Sequence, residues 1–299
     1  MVPIGLSLIL LQSYFWVPTY EEQSRGNAGR LQEFINASIG DASILNPILS
    51  ADSASSEIEK LVFEGLIDRD ENLRFRGRVA ESWTVSEDAY FFVNADRSLS
   101  GSGDGDAEAL VAYLQALLAR PESLPESLQK AFGNIREISL VPARADIVRR
   151  QLPAAAGRDA VDLTVQVTAP PRIKLTLRDV DPDIFTHLAD VLGPDYFAAF
   201  PSRRHVSVST PIPEAGLERL ADELLPAIEH NPVIEFRLRP GVRFHDGREV
   251  TARDVRFTYD AIMDPKNLSP RVADYEPVKD IQIIDPFTVR VVYKRLHSP

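Results

Sequence analysis

Cysteine is absent from the 299 residues, and methionine and tryptophan occur twice each. Without cysteine there is no disulfide framework, no thiolate nucleophile and no cysteine-bound zinc or iron–sulfur cluster. Histidine is sparse: His187, His205, His230, His245 and His297 form no His-x-x-x-His or His-Glu-x-x-His pattern, so the local signature of zinc hydrolysis is missing. There is also no Gly-x-Ser-x-Gly elbow and no glycine-rich loop ending in Gly-Lys-Ser/Thr. The run holding Gly101, Gly103 and Gly105 lacks the strand, lysine and hydroxyl of a phosphate loop and reads as a linker. Basic residues are outnumbered, 33 against 44 acidic, for a net charge of -11. Such a field repels phosphate backbones, and the compact basic spots, Arg149-Arg150 and Arg203-Arg204-His205, read as solvated edges, so nucleic acid is not an expected partner. No catalytic residue, metal or cofactor is assigned, and the chain is expected not to be an enzyme.

What is present is globular. A hydrophobic fraction of 44% with 26% charged residues suits one large domain or two smaller ones with a sizeable core. The first 20 residues carry no charge, and the apolar run from Ile4 to Leu11 resumes at Tyr14 and ends before Pro18. This resembles the apolar part of an export signal without its basic start, and it is slightly short for a spanning helix. Residues 1–29 are therefore expected to be an export or membrane-proximal leader, a possible membrane attachment, with a buried strand or arm as the alternative.

Beyond it, residues 31–39 read as a strand, and Asp52 or Ser53 can cap a helix with Ile58, Leu61 and Val62 on one face. Residues 90–93 look extended. Residues 107–118 are a helix with Leu110, Leu114, Leu117 and Leu118 on a stripe. Strands are predicted at 135–141, 161–167 and 173–177, and helices at 143–151, 183–192 and 213–229, the last open to early termination at Pro226. Residues 233–238 alternate Ile234, Phe236 and Leu238 against Glu235 and Arg237, as a half-buried strand requires. Pro240-Gly241 and Asp246-Gly247 turn the chain. Thr251 with Asp254 predicts a reciprocal N-cap for a helix to Met263, with Val255, Tyr259 and Ile262 inward. Residues 281–292 read as a hairpin with Phe287, Val289 and Val291 on one side.

Polar constellations have ordinary readings. His245 merely precedes the Asp246-Gly247 turn, His187 sits at the edge of a helix face four residues after Asp183, and Trp83 reads as core. Asp179, Asp181 and Asp183 are suited to capping the helix that follows, although facing carboxylates are also what glycoside hydrolysis needs.

Two blocks carry a resemblance. The first is Leu45-Asn46-Pro47-Ile48-Leu49, Asp52-Ser53-Ala54-Ser55-Ser56-Glu57, Val62-Phe63-Glu64-Gly65-Leu66 and Val79-Ala80-Glu81-Ser82-Trp83 with Ser86-Glu87-Asp88. The second runs from Phe236 through Arg239-Pro240-Gly241 and His245-Asp246-Gly247 to Thr251-Ala252-Arg253-Asp254-Val255 and Tyr259. Together they resemble the bacterial extracellular solute-binding proteins of family 5, receptors for dipeptides and oligopeptides in ABC importers, over residues 36–93 and 232–295. The resemblance implies an α/β, mixed α+β fold: one lobe of the periplasmic-binding-protein type II kind, incomplete, split into residues 30–99 and 232–299 by an inserted α+β module at 100–231. That module is expected to have exposed junctions near 98–105 and 229–233. The chain reads as the amino-terminal part of such a receptor.

The function this implies is capture of a peptide or other small solute at the periplasmic or cell-envelope side of an ABC permease. The loop that leaves a strand and enters a helix can place backbone donors at a cleft edge, which nominates Asn46, Ser50, Asp52 and Ser53 as ligand-binding residues, against a reading in which they only turn and cap the chain. Pro240, Gly241, His245, Asp246 and Gly247 read as scaffold. Two alternatives are an envelope interaction protein with a vestigial solute-binding lobe and an envelope hydrolase.

Overall fold

The computed structural model describes residues 7, 40–97, 106–152 and 161–296. The leader expected at 1–29, the strand expected at 31–39 and the glycine-rich stretch at 101–105 lie outside the described residues. Two compact units divide at Val62 and Phe63. In the first, helix α1 (Ser53–Val62) buries Ala54, Ser55 and Glu59. The predicted apolar face is not the buried one: Ile58, Leu61 and Val62 are exposed, Leu61 to 87%.

The second unit is mixed α/β, as expected. Its strands are β1 (Ile67–Arg69), β2 (Phe75–Gly77), β3 (Ala80–Phe92), β4 (Ile135–Val141), β5 (Arg144–Leu152), β6 (Val161–Ala169), β7 (Arg172–Leu177), β8 (Val206–Val208), β9 (Ile228–Leu238), β10 (Val278–Asp285) and β11 (Thr288–Tyr293). The helices are α2 (Ala107–Leu118), α3 (Glu126–Asn134), α4 (Ile184–Leu192), α5 (Glu214–Leu224), α6 (Ala252–Met263) and the single turn α7 (Val272–Tyr275). β1 and β2 form a small hairpin. The main sheet has the order β10-β11-β9-β3-β7-β4 with every neighbour antiparallel, and a second sheet has the order β5-β6-β8.

Side chains alternate faces along a strand, and cross-strand partners share a face. On β3 and β9 the pairs Trp83 with Phe236 and Phe91 with Ile228 therefore point the same way. That face is covered by helices. Near the β4 end, Leu110 and Leu114 of α2, Phe132 of α3 and Leu188 of α4 close over Phe91, Ile173 and Leu175. Towards the β10 end, α6 packs Ala252, Val255 and Tyr259 against Phe236, Leu238, Val289 and Val291, with Trp83 part of the same core. A third core joins α5, through Leu217 and Ala221, to Leu163, Val165 and Val167 of the three-stranded sheet and to Phe92.

Four expectations change. Residues 144–152 are a strand, not a helix: their good helix formers are overruled by nine continuous pairs to β6. The helix predicted to reach residue 229 stops at Leu224, since Pro226 cannot continue it, and Ile228 already begins β9. Residues 229–233 are no exposed junction; they run through the middle of β9 between β3 and β11, with Asn231 and Val233 buried. Finally, Asp183 takes the N-cap position of α4 without a side-chain bond, while Asp181 Oδ1 accepts the Asp183 N–H at 3.0 Å and shapes the turn before it.

Candidate functional site

The nominated residues are brought together around the entry to α1. The Asn46 carbonyl accepts the N–H groups of Leu49 and Ser50, both at 2.9 Å, and its side-chain Oδ1 accepts the Ile48 N–H at 3.2 Å. A tight turn results, and it delivers Ser50 inward. Ser50 is 2% exposed and its hydroxyl donates to Glu59 Oε2 at 2.8 Å, one helix face further along. Glu59 is itself buried, and its Oε1 has no hydrogen-bond partner among the described residues.

Asp52 holds the helix start. Its Oδ1 accepts the Ser55 N–H at 2.7 Å, three residues on, which is the bond an N-cap makes to satisfy an orphan donor. Its Oδ2 accepts the hydroxyls of Ser43 and Ser55, each at 2.7 Å. The Ser43 hydroxyl, then the Ser55 amide and hydroxyl, hold the Asp52 carboxyl at a pKa of about 2. Ser53 opens the helix. The sequence located this turn and cap, but it did not single out Ser43, Ser55 or Glu59, whose parts depend on which way the loop folds back.

In the second unit the main sheet carries a charged network on the face opposite α2, α3, α4 and α6. Asp88 of β3, 4% exposed, pairs with Lys174 of β7 at 2.9 Å and Arg290 of β11 at 3.4 Å, and it accepts the Thr176 hydroxyl at 3.4 Å. Beside it, Glu229 of β9 takes Arg172 at 3.2 Å and Lys279 at 2.7 Å. The Arg172 guanidinium lies 4.4 Å over the Tyr90 ring, with Lys174 and Lys279 each 5.9 Å from its centroid. Burial, then the neighbouring Asp88 charge, raises the Tyr90 phenol above its ordinary pKa. Every carboxylate in this patch faces at least one cation, so the arrangement binds five strands together.

On the helix side, Glu87 is fully buried; its Oε1 lies 2.5 Å from His230 Nδ1 and its Oε2 accepts the Asp181 N–H at 2.8 Å. The Phe185 ring stands edge-on to the His230 ring at 4.8 Å. Sequence inspection missed this pair because its members are 143 residues apart.

The Arg-Pro-Gly to Asp-Gly block is a tight β-turned loop. Phe244 N–H donates to the Arg248 carbonyl at 2.8 Å, Gly247 N–H returns to the Phe244 carbonyl at 2.9 Å, and Val250 N–H reaches the Val242 carbonyl at 2.8 Å. Gly241 and Gly247 have φ of +81° and +87°, where a Cβ would be strained. Asp246 accepts the Arg248 amide and guanidinium at 3.0 and 2.8 Å, and His245 is exposed. Thr251 and Asp254 form the expected capping box. Among the described residues no group of three or more histidines and carboxylates could hold a metal ion, and no helix is long and apolar enough to cross a membrane.

Residues 220–299 match the sequence profile of the "Bacterial extracellular solute-binding proteins, family 5 Middle". The second block of the resemblance lies within that segment, which supports a solute-binding role. Two solved structures show local similarity. NikZ from Campylobacter jejuni, in complex with Ni(L-His), is 34% identical over 20% of this chain and 12% of its own, with a TM-score of 0.20. The PBP/SBP MoaA from A. tumefaciens R10, in complex with mannopinic acid, is 38% identical over 21% of this chain and 13% of its own, again with a TM-score of 0.20. The chain thus aligns with about an eighth of each. No curated protein matches it.

Proposed function

We propose that the protein is a non-enzymatic solute receptor of the bacterial cell envelope, working with an ABC permease, and that its solute is a peptide. The observation that supports this best is the family match over residues 220–299, which falls on the ordered β9–α6–β10–β11 block. A receptor of this kind needs rigid sheets and loops with free backbone donors at their ends. The second unit supplies the rigid sheet.

Asn46, Ser50, Asp52 and Ser53 are the proposed ligand-binding residues, with Ser50 acting from beneath through its bond to Glu59. Residues 100–231 are proposed as an insertion between the two family-like stretches. In chain order it follows β3, and its last residues, at the start of β9, run back beside β3 from the pair Phe91 and Ile228 to the pair Asp88 and Asn231.

Calorimetric titration of the purified chain with a pool of di- to pentapeptides, beside nickel–histidine and mannopinic acid, tests the reading. Saturable heat with peptides, weakened in Asn46→Ala and Ser53→Ala, is the expected result. Heat with only the other two ligands moves the solute class away from peptides, and turnover of any of the three overturns the non-enzymatic assignment.

A further inference from the structure

We propose that the free edge of β5 is a docking strand, to which an extended acidic segment of a partner protein adds as a fourth strand of the β5-β6-β8 sheet. This site is separate from the residues nominated for solute binding and does not depend on that reading.

Among the described residues the edge is unpaired, and it is long. β5 occupies the end of its sheet, and its nine residues pair with β6 from Arg144 to Leu152 without a register shift. On such a strand every second residue turns its N–H and C=O away from the neighbour it has, leaving a row of main-chain groups ready for another strand. Edges are commonly blunted by a proline, a bulge or a covering element. β5 contains no proline, has an unbroken register, and is exposed at residues 144–147 and at Arg149 and Arg150, with Ile147 70% exposed.

Charge selects the occupant. β5 carries Arg144, Arg149 and Arg150 against the single carboxylate Asp146, a local excess of positive charge on a chain whose net charge is -11. Asp146 is already engaged by Arg144 at 3.1 Å, and Arg150 reaches Glu223 of α5 at 3.0 Å. Arg149 has no partner among the described residues. Val148 packs into the core under the sheet, so Ile147 and Arg149 share the outer face. A second copy of β5 would bring together two strands that each carry three arginines and one carboxylate, whereas an acidic strand brings the opposite charge. An acidic strand would set its carboxylates on the outer face beside Arg149 and its apolar residues on the inner face beside Val148, and main-chain bonding would fix it in place.

The probe is an end-capped, fluorescent nonapeptide of alternating Glu and Val, compared with its Lys–Val counterpart and with a Glu–Val version N-methylated on alternate residues. Expected are saturable anisotropy with the acidic peptide, new amide-exchange protection in residues 144–152, and roughly tenfold weaker binding for the Lys–Val and N-methylated peptides. Arg149→Glu should lose a similar factor while its circular dichroism and melting curve stay those of the parent, since Arg149 holds nothing in place. Lack of binding to the acidic peptide overturns the proposal. So does binding that survives both N-methylation and Arg149→Glu, or a concentration-dependent dimer protected at 144–152, which would give the edge to a second copy.

Discussion

The two sheets of the second unit are built from the same kind of strand and held in different ways. The six-stranded sheet is closed on both faces of its centre: helices and apolar side chains cover one, and paired charges spread over five strands occupy the other. Among the described residues, the three-stranded sheet has one helix, α5, against one face, and its β5 edge has no strand beside it. Cohesion within a sheet does not come from its ladder alone. It comes from what covers the ladder, and where cover is missing the main chain remains available to something else.

The sharpest way to break that contrast is at Asp88. Asp88→Ala strands Lys174 and Arg290, both mostly buried, without their shared carboxylate, and a loss of about 3–5 kcal/mol is expected in urea unfolding. A loss below about 1 kcal/mol would mean that the charged face is decoration and the helices carry the main sheet alone. Next in size are two leucine truncations, Leu175→Ala in the main sheet and Leu163→Ala in the small one. Each side chain is essentially unexposed, and each change should cost about 3 kcal/mol. Equal shifts of one transition would show that both sheets unfold together; a separate early transition for Leu163→Ala would make the small sheet an independent layer.

A smaller effect is expected at the α6 start, which lies over the family-matched end of the main sheet. Thr251→Ala removes one half of the capping box and should destabilise by about 1 kcal/mol, with Thr251→Ser restoring most of it. The least effect belongs to the first unit. The Asp52 carboxyl has its pKa depressed to about 2, so its contribution to α1 is complete above its ordinary value of 3.8 and disappears as the pH falls through 2. Amide exchange at Ser55 should accelerate over that window, and Asp52→Asn should abolish its pH dependence there.

Much of this architecture was legible because local signals agreed with it. The helix at 107–118, the strand at 135–141, the capping box at Thr251 and the terminal hairpin each have period, cap and turn chemistry pointing the same way. β5 was not legible: Arg, Ala and Gln favour helix when read alone, and only pairing with β6 decides against it. Nor was the charged network, since Asp88 meets Arg290 across 202 residues and nothing near either one announces the other. Around α1 the turn and cap could be read from Asn46 and Asp52. The inward bond from Ser50 to Glu59 could not, because nine residues separate them and a buried glutamate contradicts the simple apolar stripe.

The long pairing of β3 with β9 has a bearing on the order in which the chain can fold. His230 finds Glu87 only after 143 residues have intervened, so the main sheet's central ladder is among its most non-local contacts. Closing so large a loop is entropically unfavourable before any contact rewards it, and topologies of this kind fold slowly. β7 leaves the ribosome ahead of β9 and pairs with the other edge of β3, from Glu87 to Phe92. During synthesis β3 can therefore be sheltered on one side by the intervening segment while it waits for its distant partner, and that segment acts as a splint on a strand that would otherwise remain open on both edges.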